Sequence, residues 1–538
     1  MKADDGVTAR LRLALQIALT LVVVVGAGVT AAHGSRTKPV GASAVMFDPP
    51  APSGQRATML FTRARATFPK SAAGWQSPDA TLRWTSSYGD AAAGAVTLTT
   101  PRSTSTAVSP SVPARAGARY FATAEVRTTA HKGRVALVLE FLGADGRVIP
   151  AGTQVGQVFD DRTQWLIRPL TVAGFAPDGA VKTRVVIASL RRGVTQVIDD
   201  VQMWRVDGAP APIVGPLSTR GREIVDGQGR RVVLRGVEVD GMQGATVVPQ
   251  ATMLTQIDVA HAWGANMIRL PVNADRWLYA GCGIADYVAR IKQLVARANS
   301  YGMLAELDLH TFNPAACGTP RIVAMVDQRG VTFWKSMGLL FGTNPLVAFD
   351  LYNEPHDITA QIWRDGGQVT DRGQTFQAVG MQALYDAVRS VHAPNLVFLA
   401  GTTWGEVPAK YSLSGTTNLV YAAHVYTCPA GLPDRARAVN CNLSGPGGIT
   451  DPSARMDKFT PWAARGPIVA DEFGFPSSSD GRYQSNLIAY AESHYWSGWV
   501  AFAFDGTNAG MFDLVRNTGP VQDPAVSGMG VMAGLVRN

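Results

Sequence analysis

Apolar residues recur along this chain in two different rhythms. From about residue 46 to residue 207 they fall in short alternating runs, such as 120–128, 134–142, 183–189 and 195–206, separated by Gly, Pro, Asp and Ser. Period-2 runs at this spacing, with no convincing helix between them, predict an all-β sandwich. Beyond residue 217 apolar runs alternate with longer stretches of helical period, among them 285–300 and 374–392. Eight strands are predicted there: 232–239, 266–272, 304–310, 346–354, 396–401, 419–426, 467–473 and 499–505. Eight strand-then-helix units predict a closed parallel (β/α)8 TIM barrel over residues 218–538. An open doubly wound sheet would need fewer units and a Gly-rich phosphate turn after its first strand, and none is present.

The segments outside these two rhythms set the compartment and the spacing. Lys2, Arg10 and Arg12 precede an apolar stretch over residues 13–32 that ends on Ala31 and Ala32. This is an export segment, either a cleaved signal peptide or, at about 20 residues, a retained membrane anchor. Both place the remainder outside the cytoplasm, secreted or anchored at the envelope. Residues 33–45 read as a tether, and residues 208–217, with three Pro and two Gly, as a linker.

Composition narrows the picture further. Of 538 residues, 46% are hydrophobic and 17% charged, which describes a globular chain with a sizeable core. The net charge of +8 is spread without a Lys/Arg run, so it points to solubility or a cell surface and away from nucleic acid. A monomer is expected. Cys282, Cys317, Cys428 and Cys441 suit an exported chain. Their natural pairing is Cys282 with Cys317 and Cys428 with Cys441, each pair tying loops at one end of the barrel; free buried thiols are the alternative.

In a barrel of this kind chemistry gathers where the strands end. The predicted strand ends carry Arg269, His310, Asn353 with Glu354, His424 with Tyr426, and Glu472. Any one of these has a structural reading, as a salt-bridged acid or a satisfied core histidine. Their joint arrival at one face is hard to explain by packing, because burying two unpaired carboxylates there costs several kcal/mol. Two carboxylates on strands four and seven face each other across the mouth. That is the arrangement glycoside cleavage needs, with a separation of about 5–5.5 Å for a retaining mechanism. His310 and His424 lack a third ligand in the sequence pattern, so no metal and no cofactor are expected.

The segments Met267-Ile268-Arg269-Leu270-Pro271, Leu351-Tyr352-Asn353-Glu354-Pro355-His356, His424-Val425-Tyr426 and Asp471-Glu472-Phe473-Gly474, with Leu234-Arg235-Gly236-Val237, resemble glycoside hydrolase family 5, the cellulase family of clan A. The resemblance implies Glu354 as acid/base and Glu472 as nucleophile. By the same resemblance Asn353 bonds the sugar 2-hydroxyl, Tyr426 bonds the nucleophile, and Arg269, His310 and His424 orient carboxylates and substrate. It implies a β-linked polysaccharide substrate, most simply β-1,4-glucan. Mannan or another β-glycan, transglycosylation at the envelope, and a non-catalytic polysaccharide-binding role remain alternatives. Two departures stand out: Glu238 replaces the family's usual Asn after the first strand, and Phe502 stands where a Trp commonly lies beneath the sugar. Trp404 and Trp277, just past strands five and two, are candidate sugar platforms. His356 reads as structural. Residues 197–203 resemble the last strand of jelly-roll carbohydrate-binding modules, so the sandwich is either a glycan-gripping module or a spacer.

Overall fold

The computed structural model describes residues 56–504, apart from 88–93, 102, 129–133, 151–153, 161–169, 208–210, 427–451 and 475–481, together with Leu514, Val531 and Leu535. The residues read as an export segment and tether, the last residue of the eighth predicted strand (Asp505), and the pair Cys428–Cys441 lie outside the described residues. Among the described residues no helix is long and apolar enough to cross a membrane.

The N-terminal part is a sandwich of two antiparallel sheets. One sheet orders the strands Thr81–Thr85, Ala95–Thr99, Thr195–Asp207, Arg119–Thr128 and Leu170–Phe175, with Arg56–Met59 also paired to Thr195–Asp207. The other orders Ser105–Val108, Lys182–Ser189, Arg134–Leu142 and Gln154–Asp160, with Val112–Pro113 at Lys182–Ser189. Alternate residues fill the space between them, including Val126, Leu137, Leu139, Ile187, Ile198 and Met203. Residues of the opposite pleat, Phe121, Ala173, Trp204 and Val206, do not face water. They join the core of the barrel. The first sheet is therefore covered on both sides, and Arg119–Thr128 is buried almost throughout.

The barrel closes in the order β1 (Leu234–Glu238), β2 (Met267–Asn273), β3 (Leu304–Thr311), β4 (Val347–Asp350), β5 (Val397–Ala400), β6 (Leu419–Tyr426), β7 (Ile468–Gly474) and β8 (Gly498–Ala501). All eight pairings are parallel, β8 returning to β1. Helices α1 (Gln250–Trp263), α2 (Ala274–Leu278), α3 (Tyr287–Ser300), α4 (Gln328–Phe341), α5 (Ala360–Asp365), α6 (Met381–Ser390) and α7 (Arg482–Ser493) run between them. Apolar residues at helical spacing, such as Ile291, Leu294, Val295 and Ala298 on α3, turn to the strands.

One stretch departs from the helical expectation for 374–392. Gln374–Ala378 is a strand, paired with Gly367–Asp371, and only Met381–Ser390 is helical. The turn explains this: Arg372 and Gly373 both have positive φ, 49° and 80°, the geometry of a two-residue hairpin loop. The hydroxyls of Thr370 and Thr375 meet across it at 2.7 Å, and Phe376 packs edge-on to Phe312.

The barrel interior is layered. At the N-terminal end Leu234, Met267, Leu304, Ala348, Phe398, Val420, Val469 and Val500 form an apolar floor, sealed by Ile213, Leu217 and Ile224. The stretch read as a linker is part of that seal: Ile213 donates its N–H to Gly302 O at 3.0 Å. Above the floor the inward positions turn acidic and basic. On β3 the same pleat carries Leu304, Glu306, Asp308 and His310 in succession from floor to mouth. Gly236 on β1 has no room for a side chain, since a Cβ would lie 2.4 Å from the Met267 carbonyl oxygen. Gly236→Ala is expected to destabilise the fold by about 1–3 kcal/mol through overpacking. Chemical denaturation measures this, and an unchanged midpoint would show that β1 and β2 can separate freely.

Candidate active site

Arg269, midway up β2, is fully buried and is surrounded by carboxylates from four strands. Its Nη1 donates to Glu238 Oε2 and, at 2.9 Å, to Glu472 Oε2. Its Nη2 donates at 2.8 Å to both Asp350 Oδ2 and Asn353 Oδ1, and lies 3.1 Å from Asp308 Oδ2. Nε lies 3.5 Å from Glu306 and from Asp471. Both Asp471 and Glu472 reach Arg269 although they are sequence neighbours, because the β7 register slips against β6 and β8 at this point.

Six carboxylates cannot all be ionised around one guanidinium inside a barrel. Burial pushes Glu238, Glu306, Asp350 and Asp471 above the usual carboxylate range, with neighbouring acids adding to the shift and Arg269 opposing it. Glu306, Asp350 and Asp471 bring oxygens within 4.8 Å of one another, too close together for all three to be ionised. Glu472 is the exception. Burial would raise its pKa too, but His424, Arg269, His310 and the hydroxyl of Tyr426 together pull it below the ordinary value. Tyr426 Oη donates to Glu472 Oε1 at 2.5 Å.

The two histidines take the opposite sign. Burial disfavours a charge on His310, yet Asp308, 2.6 Å from its Nδ1, pushes its pKa up to about 10, with Glu238 and Glu472 assisting. Burial also opposes a charge on His424, but Glu472 and Glu354 push it to about 9. His424 Nδ1 lies 3.0 Å from Glu354 Oε1 and 3.9 Å from Glu472 Oε2. Single atoms of Glu354, His424 and Glu472 all fall within 4.8 Å of one another. That is tighter than the separation of about 6.5–9.5 Å by which an inverting pair makes room for water.

Asn353 and Glu354 sit just past the end of β4, where Asn353 N–H donates to Leu309 O at 3.1 Å. His356 points Nδ1 at the Glu354 carbonyl at 2.8 Å and stacks on Trp404, ring centroids 3.5 Å apart. Trp404 is thereby held beside Glu354, its N–H donating to Pro355 O, with one ring face already taken. Phe502, half-buried at the end of β8, meets the Tyr426 ring edge-on at 6.3 Å. Cys282 and Cys317 form a disulfide that ties the loops following β2 and β3.

Trp277 is a correction. It is not a platform at the mouth: it is buried between Phe333 and Phe341 of α4 and donates to Ser336 Oγ at 3.0 Å. Helix α2 begins directly after β2 and turns this indole back into the packing beneath, where an amphipathic ring with one N–H is readily satisfied.

Sequence reasoning missed Glu306, Asp350 and Asp471, which lie within apolar strands and give no signal of their convergence. It also missed Glu406 after β5, which burial raises to about 8 against the pull of Arg455, 3.3 Å away. The expectation that His310 and His424 lack a third ligand fails as well. Glu238, His310 and Glu472 bring atoms within 4.8 Å of one another, as do Glu306, Asp350 and Asp471. In every such set Arg269 contacts at least one carboxylate, so a guanidinium fills the cationic position.

A parallel barrel with a pair of facing carboxylates at the C-terminal ends of its strands defines an enzyme that works by paired acids. The chain belongs to the cellulase family, glycosyl hydrolase family 5, whose family model matches residues 225–507, just over half of its length. It is 28% identical over 227 residues to endoglucanase N of Pectobacterium atrosepticum, covering 41% of this chain and 45% of that protein. It is 25% identical over 363 residues to endoglycoceramidase I of Rhodococcus hoagii, covering 56% of this chain and 70% of that one. A β-glucanase structure from Saccharophagus degradans aligns with a TM-score of 0.45 at 18% identity, over 61% of this chain and 97% of that one. The chain spans less than half the length of the endoglucanases it first matches.

The titration directions carry a consequence for stability. His310 and His424, with values near 10 and 9 against an unfolded value near 6.5, contribute stability that is complete below pH 6.5 and lost as pH rises through 9–10. The four raised carboxyls likewise hold protons that the unfolded chain releases above about pH 4, so they too favour the folded state less as pH rises. The unfolding midpoint is therefore expected to fall between pH 6 and pH 10, and to fall less in His310→Gln. A midpoint that climbed over this range would contradict the charge assignment.

Proposed function

We propose that this chain is a retaining β-glycanase acting on β-1,4-glucan, with Glu472 as nucleophile and Glu354 as acid/base. The observation that carries the reading is the asymmetry between the two acids. Glu472 is held ionised by Arg269, His424, His310 and the Tyr426 hydroxyl, whereas Glu354 stands free of Arg269 and meets only His424 among these groups. Glu472 attacks the anomeric carbon while Glu354 delivers a proton to the leaving oxygen. Once the glycosyl-enzyme forms, the negative charge on Glu472 is gone. Glu354, now deprotonated, takes a proton from water, which attacks the anomeric carbon and releases Glu472. Asn353, whose Oδ1 accepts from Arg269 Nη2, bonds the sugar 2-hydroxyl in this reading. Phe502 and the outer face of Trp404 are apolar surfaces on which a sugar ring would rest.

Glycan binding by the sandwich, export through residues 13–32 and a monomeric state belong to the same reading. They rest on the sequence features described above.

A second reading, hydrolysis of a glycolipid, has one observation in its favour. The match to the Rhodococcus endoglycoceramidase runs over 363 residues, against 227 for the Pectobacterium enzyme. Purified protein assayed on a cellulose derivative, mixed-linkage glucan, mannan, xylan and a glycosylceramide separates the two. Products longer than the substrate would mark glycosyl transfer.

Glu472→Ala is expected to abolish turnover with the fold retained. Glu354→Ala is expected to slow polysaccharide hydrolysis by about 100-fold or more, and activated aryl glycosides far less, because only the poor leaving group needs the proton. Steady-state kinetics on both substrate types measure this, and near-normal activity in both variants would remove the mechanism.

A further inference from the structure

The four Nη hydrogens of Arg269 have four acceptors: Glu238, Glu472, Asp350 and Asn353. Two of these, Glu472 and Asn353, belong to the reaction. The other two, completely buried, have no part in the reaction as described above. Glu238 differs from Asp350 in one respect: it takes its hydrogen bond from the same nitrogen, Nη1, that serves Glu472. Its own position is fixed, because it ends β1 and its backbone carbonyl accepts from the Phe504 N–H at 2.8 Å.

We propose that Glu238 is a positioning residue of the glycosidase reaction, one that holds the Arg269 guanidinium in the orientation from which Nη1 meets the nucleophile Glu472. The proposal rests on the reading of Glu472 as nucleophile given above. A guanidinium is a rigid fork, so anchoring one hydrogen of Nη1 aims the other. With Glu238 gone, a buried N–H is left without an acceptor and the fork is free to turn toward the acids below it, away from Glu472.

The charge state supports the same role. The charged groups that face Glu238 are Arg269 from β2, His310 from β3, Glu472 from β7 and Asp240 just past its own strand; from β8 it meets the Phe504 backbone N–H. Burial, with Glu472 and Asp240 adding to it, pushes Glu238 well up, and Arg269 and His310 do not restore an ordinary value. A protonated carboxyl still accepts from Nη1 through its carbonyl oxygen. It leaves the guanidinium charge to Glu472. An ionised one would draw that charge to itself and repel the nucleophile across a gap of less than 4.8 Å.

The test compares full-length wild type, Glu238→Gln and Glu238→Ala on the preferred soluble β-glycan, reading kcat, KM, the acid limb of the kcat/KM profile and the unfolding midpoint. Glu238→Gln keeps the shape and the acceptor and cannot ionise. It is expected to stay within about 3-fold of wild-type kcat, with the acid limb unmoved. Glu238→Ala is expected to lose about 10-fold or more in kcat with KM little changed, since a misaimed group near the reacting atoms costs that much. Its acid limb should move to higher pH, because Glu472 is then less well held in its ionised form. Should the alanine variant not fold, Glu238→Leu, which fills the space without an acceptor, replaces it.

Wild-type kcat in the alanine or leucine variant would overturn the proposal. So would an acid limb displaced downward by about one unit in Glu238→Gln, which would mean that an ionised Glu238 had been repelling the nucleophile. A wild type inactive on every β-glycan would instead remove the glycosidase reading, and the inference with it. An active wild type with indifferent variants refutes Glu238 alone.

Discussion

One buried guanidinium organises this barrel. Arg269 brings six carboxylates from β1, β3, β4 and β7 within ion-pair distance, and five of the six are shut off from water completely. Apolar barrels fill this level with branched side chains. Here the same level is filled by charge, and such a layer is tolerable only because most of the acids retain protons and the rest are matched by Arg269 and two histidines. The cost of burying these groups is spread over hydrogen bonds from every side. Removing the guanidinium would strip a partner from all six acids at once, a far larger loss than removing any one acid.

The ionic layer also explains how two sequence neighbours, Asp471 and Glu472, come to differ. Asp471 lies with Glu306 and Asp350 below the guanidinium, whereas Glu472 lies above it under His424 and Tyr426. The register slip in β7 separates the two environments. One acid becomes part of the scaffold and the other faces the groove.

The barrel and the mouth were legible in the sequence because their signals are local. The strands are apolar runs, several of them closed by a polar residue, and Asn353-Glu354 and Glu472 stand at such ends. The ionic layer was not legible, because Glu306, Asp350 and Asp471 sit inside runs that read as ordinary buried strands, and only closure of the ring brings them together. Trp277 was misread for a related reason: its place just past β2 is right for a groove, but the short helix that follows turns the ring inward. Gln374–Ala378 was misread as helix because five residues cannot establish a period, while Arg372-Gly373 carried the turn signal. In the sandwich the alternation identified the strands but not that the second pleat of one sheet would also be covered.

That second covering limits what the sandwich can do. Phe121, Ala173, Trp204 and Val206 are set into the same apolar cluster as Trp263 and its neighbours on α1, and Arg119 lies against Gly264 at the end of that helix. A module on a loose leash can cling to a fibre while its enzyme wanders nearby. This one is welded to its partner, so anything it grips would be offered to the groove at one fixed bearing and reach.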